Sequence, residues 1–226
     1  MKITPSNFKG KQSSRDWIER QMNDPYVRRA KEENYRCRSA FKLTEIDGNY
    51  KIIKPGDIVI DCGACPGSWS QVAVERIRQK GKHGYDDNQG MVIAIDLQDI
   101  EPIDGVTVFP KSDFTTSETQ SKILRVLDGR HANVVLSDMA PKASGNREHD
   151  HDAIFQLCLS VLKFSSHVLD SGGHVVCKLW DGRETNKIKE VMNRMFTTVK
   201  TVKPDASRSD SAEIFLLGQY YKLRKS

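Results

Sequence analysis

The segment Asp57-Ile58-Val59-Ile60-Asp61, running directly into Cys62-Gly63-Ala64-Cys65-Pro66-Gly67-Ser68-Trp69, constrains this chain more than any other. Apolar residues that do not alternate with polar ones must be covered on both faces, as in a strand inside a parallel sheet. Parallel strands need crossover helices, and the glycines and proline after Asp61 mark a tight turn into one, expected over Ser68–Gln79. The alternation continues. Strands are expected at Met91–Ile95, Val106–Pro110, Asn133–Leu136 and His174–Leu179. Helices are expected over Glu118–Leu127, Asp150–Leu169 and Glu184–Phe196, with Ser171-Gly172-Gly173 closing the long one. Thr197–Val202 and Glu213–Tyr221 have no helix between them and read as an antiparallel edge. The fold class is α/β: a Rossmann-like, mostly parallel seven-stranded sheet with an antiparallel last strand and helices on both faces.

The N-terminal part reads differently. Residues 1–14 are expected to form a flexible basic arm, and 15–226 one domain, made of a basic helical extension (15–47) and an α/β core (57–222). Helices are expected over Asp16–Met22, from Pro25 to about Tyr35, and over Ser39–Asp47. The net charge of +5 is local: residues 1–40 hold ten basic and five acidic residues, and acids and bases balance in the rest. Phe8, Trp17, Tyr26 and Tyr35 are interleaved with those charges, a nucleic-acid-binding composition. No apolar stretch is long enough to span a membrane, no secretory leader is visible, and five cysteines do not suit a disulfide scaffold.

In a doubly wound sheet, ligands bind at the carboxyl ends of the strands. Gly63 and Gly67 suit close approach of backbone to a ligand. The loop is neither G-x-G-x-x-G nor a P-loop, which speaks against a nicotinamide oxidoreductase and against a pyrophosphate cradle. Asp96 closes the second strand, where an acid can hold ribose hydroxyls. Asp113-Phe114 follows the third, where a carboxylate beside an aromatic could grip a purine. Asp113, Thr115, Thr116 and Ser117 are also candidate helix caps. Asp138 closes the fourth strand, Lys178 the fifth, and Glu213 opens the last. Cys62 and Cys65 have the spacing of a redox pair or half a zinc site, but small core residues are the simpler reading. His149-Asp150-His151-Asp152 resembles a metal cluster, yet its position at a helix start suits capping, and no metal is expected.

Asp61-x-Gly-Ala-x-Pro-Gly-x-Trp, Ser137-Asp138-Met139-Ala140-Pro141 and Arg38-Ser39-Ala40-Phe41-Lys42-Leu43 together resemble the FtsJ/RrmJ family of S-adenosylmethionine-dependent ribosomal RNA 2′-O-methyltransferases. The resemblance covers roughly residues 15–222. It implies a catalytic tetrad of Lys42, Asp138, Lys178 and Glu213. It implies S-adenosyl-L-methionine contacts from Gly63, Pro66, Gly67, Ser68, Trp69, Asp96, Asp113, Phe114 and Asp138. Tyr35–Lys42, Ser207-Arg208 and Ser211–Glu213 look most like mitochondrial members, implying a uridine of large-subunit ribosomal RNA, free or in the subunit, as substrate, a mitochondrial matrix location and a monomer. A transfer RNA substrate and a non-catalytic RNA-binding role are the alternatives; the second predicts a broken tetrad. A free lysine titrates near ~10.4, too high for a base at neutral pH; burial and a neighbouring cation lower it, and a neighbouring carboxylate raises it. Arg28, Arg29, Arg36 and Arg38 are expected to grip RNA phosphates without affecting the cofactor.

Overall fold

The structure, a computed structural model, describes residues 19, 21–79, 90–141 and 144–222. The expected arm over 1–14, most of the expected helix over Asp16–Met22 and most of the loop at 81–90 lie outside the described residues. The element order is α1 (Pro25–Glu32), α2 (Ala40–Tyr50), β1 (Ile58–Cys62), α3 (Ser68–Ile77), β2 (Met91–Ile95), β3 (Val106–Phe109), α4 (Ser117–Leu127), β4 (Ala132–Ser137), α5 (Arg147–Val168), β5 (Leu169–Trp180), α6 (Thr185–Met195), β6 (Phe196–Val202) and β7 (Glu213–Tyr221).

Seven strands form one sheet in the order β3-β2-β1-β4-β5-β7-β6. The first five are parallel, and β7 runs antiparallel to both β5 and β6. The antiparallel pair lies at the side expected, but β7 sits inside and β6 forms the edge. The burial explains it: nearly every β7 residue is buried, whereas in β6 only Phe196 is buried and the rest are half-buried or exposed. All five residues of β1 are buried, with its side chains shared between two cores. Ile58, Ile60 and Cys62 join Ile93, Val135 and Val175 under α4, α5 and α6. Val59 joins Val92, Val134 and Val176 under α2 and α3. Leu43 and Ile46 of α2 are fully buried there, each full burial being worth about 1.5–3 kcal/mol. The second half of the expected basic extension is therefore part of the core.

Caps place two boundaries. Thr116 accepts from the Thr119 amide and starts α4, while Asn146 accepts from Glu148 and His149 and starts α5. The end of α5 departs from the sequence reading. Leu169 is extended and β5 begins at once, so Ser171-Gly172-Gly173 lies within the strand rather than capping the helix.

Candidate active site

Connections from β1 and β4 diverge on either side of their shared border, the switch point where open α/β sheets bind ligands. Cys62 is in register with Ser137 there, so the loop after β1 faces the Asp138-Met139 turn after β4. Gly63 has φ of +77°, and a Cβ there would lie 2.4 Å from the Met139 side chain. Gly67 has φ of +111°, and a Cβ would meet Ile103 at 2.5 Å and Arg36 at 2.9 Å. Both glycines are dictated by backbone conformation and by protein packed against them.

Four charged side chains meet at the ends of β4, β5 and β7 and on α2. Lys42 Nζ lies 2.6 Å from Glu213 Oε1. Lys178 Nζ lies 2.7 Å from Asp138 Oδ1 and 3.6 Å from Glu213 Oε2, and it donates to the Asp138 carbonyl at 2.7 Å. Cations and anions alternate along Lys42–Glu213–Lys178–Asp138, and the four side chains are only 11–17% exposed. Sequence reasoning missed two further members. Ser39 Oγ donates to Asp138 Oδ2 at 2.7 Å, and Ser207 Oγ donates to Glu213 Oε1 at 2.9 Å. Ser39 stands one helical turn before Lys42, a spacing that signals proximity; nothing local points to Ser207.

The other expected residues surround the loop after β1. Trp69 is buried against Phe215, with ring centroids 5.5 Å apart, and its indole N–H donates to the Ser39 carbonyl at 2.8 Å. Ser68 Oγ is 3.1 Å from Cys37 Sγ, while Pro66 is exposed. Asp96 accepts from the Cys65 and Gln98 amides at 2.9 and 2.8 Å. Asp113 is exposed and accepts from the Thr115 amide and hydroxyl. Phe114 is buried, edge-on to Phe164 at 5.3 Å, so its ring is a core group. Beneath the loop, Asp61 is fully buried and accepts from Ser70 Oγ at 2.6 Å, and its Oδ1 has no partner among the described residues. Burial pushes its carboxyl up to about 7, helped by Asp138 and Asp96. Cys62 is buried and Cys65 partly so, both as free thiols.

The four arginines divide. Arg28 and Arg29 are exposed on α1; Arg29 pairs with Glu33 at 2.6 Å and its guanidinium sits 4.4 Å above the Phe41 ring. Arg36 donates to the carbonyls of Pro66, Glu101 and Pro102 at 2.7–2.8 Å. Arg38 pairs with Asp24, the N-cap of α1, and donates to the Ala206 carbonyl. Of the four arginines expected at RNA phosphates, Arg36 and Arg38 spend guanidinium donors on the protein itself. Arg36 thereby ties the chain before α2 to Pro66 in the loop after β1.

Consecutive residues on α5 point in different directions around the helix, so His149–Asp152 do not converge. Asp150 turns to Ser144, accepting from its amide and hydroxyl, and His151 turns to the Trp180 ring.

Similarity to known proteins extends over most of the chain. The family described as FtsJ-like methyltransferase matches residues 35–221. The chain is 48% identical over 222 residues to "rRNA methyltransferase 2, mitochondrial" of Drosophila melanogaster, covering 98% of this chain and 88% of that protein. It is 41% identical over 227 residues to a ribosomal RNA large subunit methyltransferase E of Cereibacter sphaeroides, covering 100% and 92%. A crystal structure of a ribosomal RNA methyltransferase from Plasmodium falciparum superposes with a TM-score of 0.72 at 30% identity, covering 83% and 98%.

Proposed function

The chain belongs to the FtsJ-like methyltransferase family, and we propose that it methylates the ribose 2′-oxygen of a uridine in large-subunit ribosomal RNA, using S-adenosylmethionine, in the mitochondrial matrix. The observation that carries the reading is the alternating Lys42–Glu213–Lys178–Asp138 row at the sheet's carboxyl end. The names of the relatives support the RNA class and the mitochondrial location.

The residues around the β1 loop suit the cofactor. Among the described residues, Asp61, Asp96 and Asp113 offer acceptors without a paired cation, and Asp61 Oδ1 is orphaned. Such a set matches a ligand that brings hydroxyls and positive charge, and does not match a pyrophosphate. Asp96 would hold the ribose hydroxyls; Asp113 and the backbone beside Phe114 would hold the adenine; Gly63, Pro66–Trp69 and Asp138 would hold the methionine end. When bound, S-adenosylmethionine supplies a methyl group activated by its sulfonium.

The protein's task is then to hold the ribose oxygen and remove its proton. Positioning of this kind supplies ~7–11 kcal/mol of barrier reduction. Asp138 and Glu213 fix Lys178 Nζ from two sides, and Lys42 and Ser207 fix Glu213 in turn. Lys178 Nζ orients the 2′-hydroxyl or takes its proton as the methyl group is transferred. The test is incubation with radiolabelled S-adenosylmethionine and unmodified large-subunit RNA, followed by nucleoside analysis. Label on the 2′-oxygen of a uridine is expected; label on a base overturns the reading.

A further inference from the structure

Beside the tetrad lies a cavity of about 450 Å³ that the proposed chemistry leaves unused. Trp180 and His151 form one wall, Ser211 and Ala212 the facing one, and the exposed Arg147 its rim. Its size falls in the range of small-ligand sites, about 300–1,000 Å³.

Three features tie it to the tetrad and hold it open. Trp180 is the register partner of Glu213 across β5 and β7, two residues beyond Lys178. Ser211 Oγ accepts from the Glu213 amide at 3.1 Å, and the Asp181 amide donates to the Ala212 carbonyl at 2.8 Å, so the facing wall is fixed to both strands. The His151 ring stands edge-on to Trp180 at 5.6 Å, and a Cβ at Gly182 would lie 3.1 Å from it. The absence of a side chain at 182 gives the imidazole its place against the backbone, and the two rings form one aromatic wall.

We propose that this cavity receives an unpaired nucleobase of the substrate RNA, stacked on Trp180, at or beside the ribose presented to Lys178. The inference rests on the methyltransferase reading above. Unpaired, unstacked bases are what proteins recognise by stacking on aromatic side chains, since a base inside a helix has its faces covered by its neighbours. Trp180 pairs with Glu213 and lies two residues beyond Lys178, and Ala212 precedes Glu213, so a base on a ribose held there would lie beside both. Trp180 would thus require the target segment to be single-stranded, a selection for RNA conformation that the tetrad alone does not make.

The experiment uses Trp180→Ala and Trp180→Phe with a synthetic fragment of large-subunit RNA. The base is removed at the target and at each flanking position in turn, with every ribose kept. RNA affinity is followed by fluorescence anisotropy, transfer by kcat and KM, and cofactor affinity by calorimetry. Trp180→Ala is expected to weaken the intact RNA about tenfold, with cofactor affinity unchanged and Trp180→Phe close to the parent protein. At one abasic position the difference between parent and Trp180→Ala should vanish. An equal loss at every position, or a phenylalanine variant as weak as the alanine one, overturns the base pocket. Failure of the parent protein to methylate the intact fragment would count against the methyltransferase reading instead, and the anisotropy series would still decide the pocket.

Discussion

The carboxylates within β1 and after β2 and β3 meet amides and hydroxyls, whereas those after β4 and at the start of β7 meet lysines. Asp61, Asp96 and Asp113 are held by Ser70, by the Cys65 and Gln98 amides and by Thr115. Asp138 and Glu213 are neutralised in sum by Lys42 and Lys178. Among the described residues, Asp96 and Asp113 in the first half have no paired cation, and that half favours a ligand that brings positive charge. The other is balanced in the protein alone, so its side chains keep their geometry without help. Binding and chemistry should therefore separate on mutation.

The sharpest way to break this contrast is Lys178→Ala. Methyl transfer is expected to fall by ~10²–10⁴, the range of general acid–base contributions, while calorimetry shows cofactor binding retained. Near-normal transfer would remove Lys178 from the chemistry; lost cofactor binding would mean that the two halves are not separable. Asp96→Ala should do the reverse, weakening the cofactor about 10- to 100-fold through loss of hydrogen bonds to a charged acceptor, with kcat at saturating cofactor largely kept.

Smaller effects test the link between the halves. Arg36→Ala removes three carbonyl contacts joining the chain before α2 to Pro66 and to Glu101-Pro102. It should cost about 1–3 kcal/mol of stability and weaken the cofactor, with the salt dependence of RNA binding unchanged. Arg28→Ala, on exposed α1, should instead lower the salt slope of RNA binding by about 1 and leave the cofactor alone. If Arg36→Ala changes the salt slope, that arginine reaches RNA after all.

The smallest effect concerns pH. The Asp61 carboxyl stands at about 7 when folded, against about 3.9 unfolded. Between those values the folded chain holds the extra proton, so Asp61 makes stability fall as pH rises from about 4 to about 7. His174, lowered to about 4 by burial, has the opposite slope: stability falls as pH drops from about 6.5 to about 4. Asp61→Asn should therefore raise the melting temperature at about pH 7 relative to about pH 5, compared with the parent protein. An unchanged difference would show that Asp61 titrates normally.

Much of the fold is legible along the chain. The unbroken apolar run at Ile58–Ile60 reports two-sided burial, and the turn at Gly63–Gly67 reports the entry to α3. The tetrad residues were named by resemblance to a family, and the structure brings their side chains together. The partners of the arginines are not legible, because charge composition is blind to them: Arg36 meets a carbonyl 65 residues away and Arg38 one 168 residues away.

Local pattern carried the strands, the helices and the doubly wound class, because burial on one face or two imprints its period on neighbouring residues. Folding in three dimensions settled that β7 lies inside β6, that Ser39 and Ser207 orient the two acids, and that Trp180 and His151 form a wall beside Glu213. Each is a contact between distant segments, where a buried polar or aromatic group takes the partner that topology delivers, and no local period records that choice.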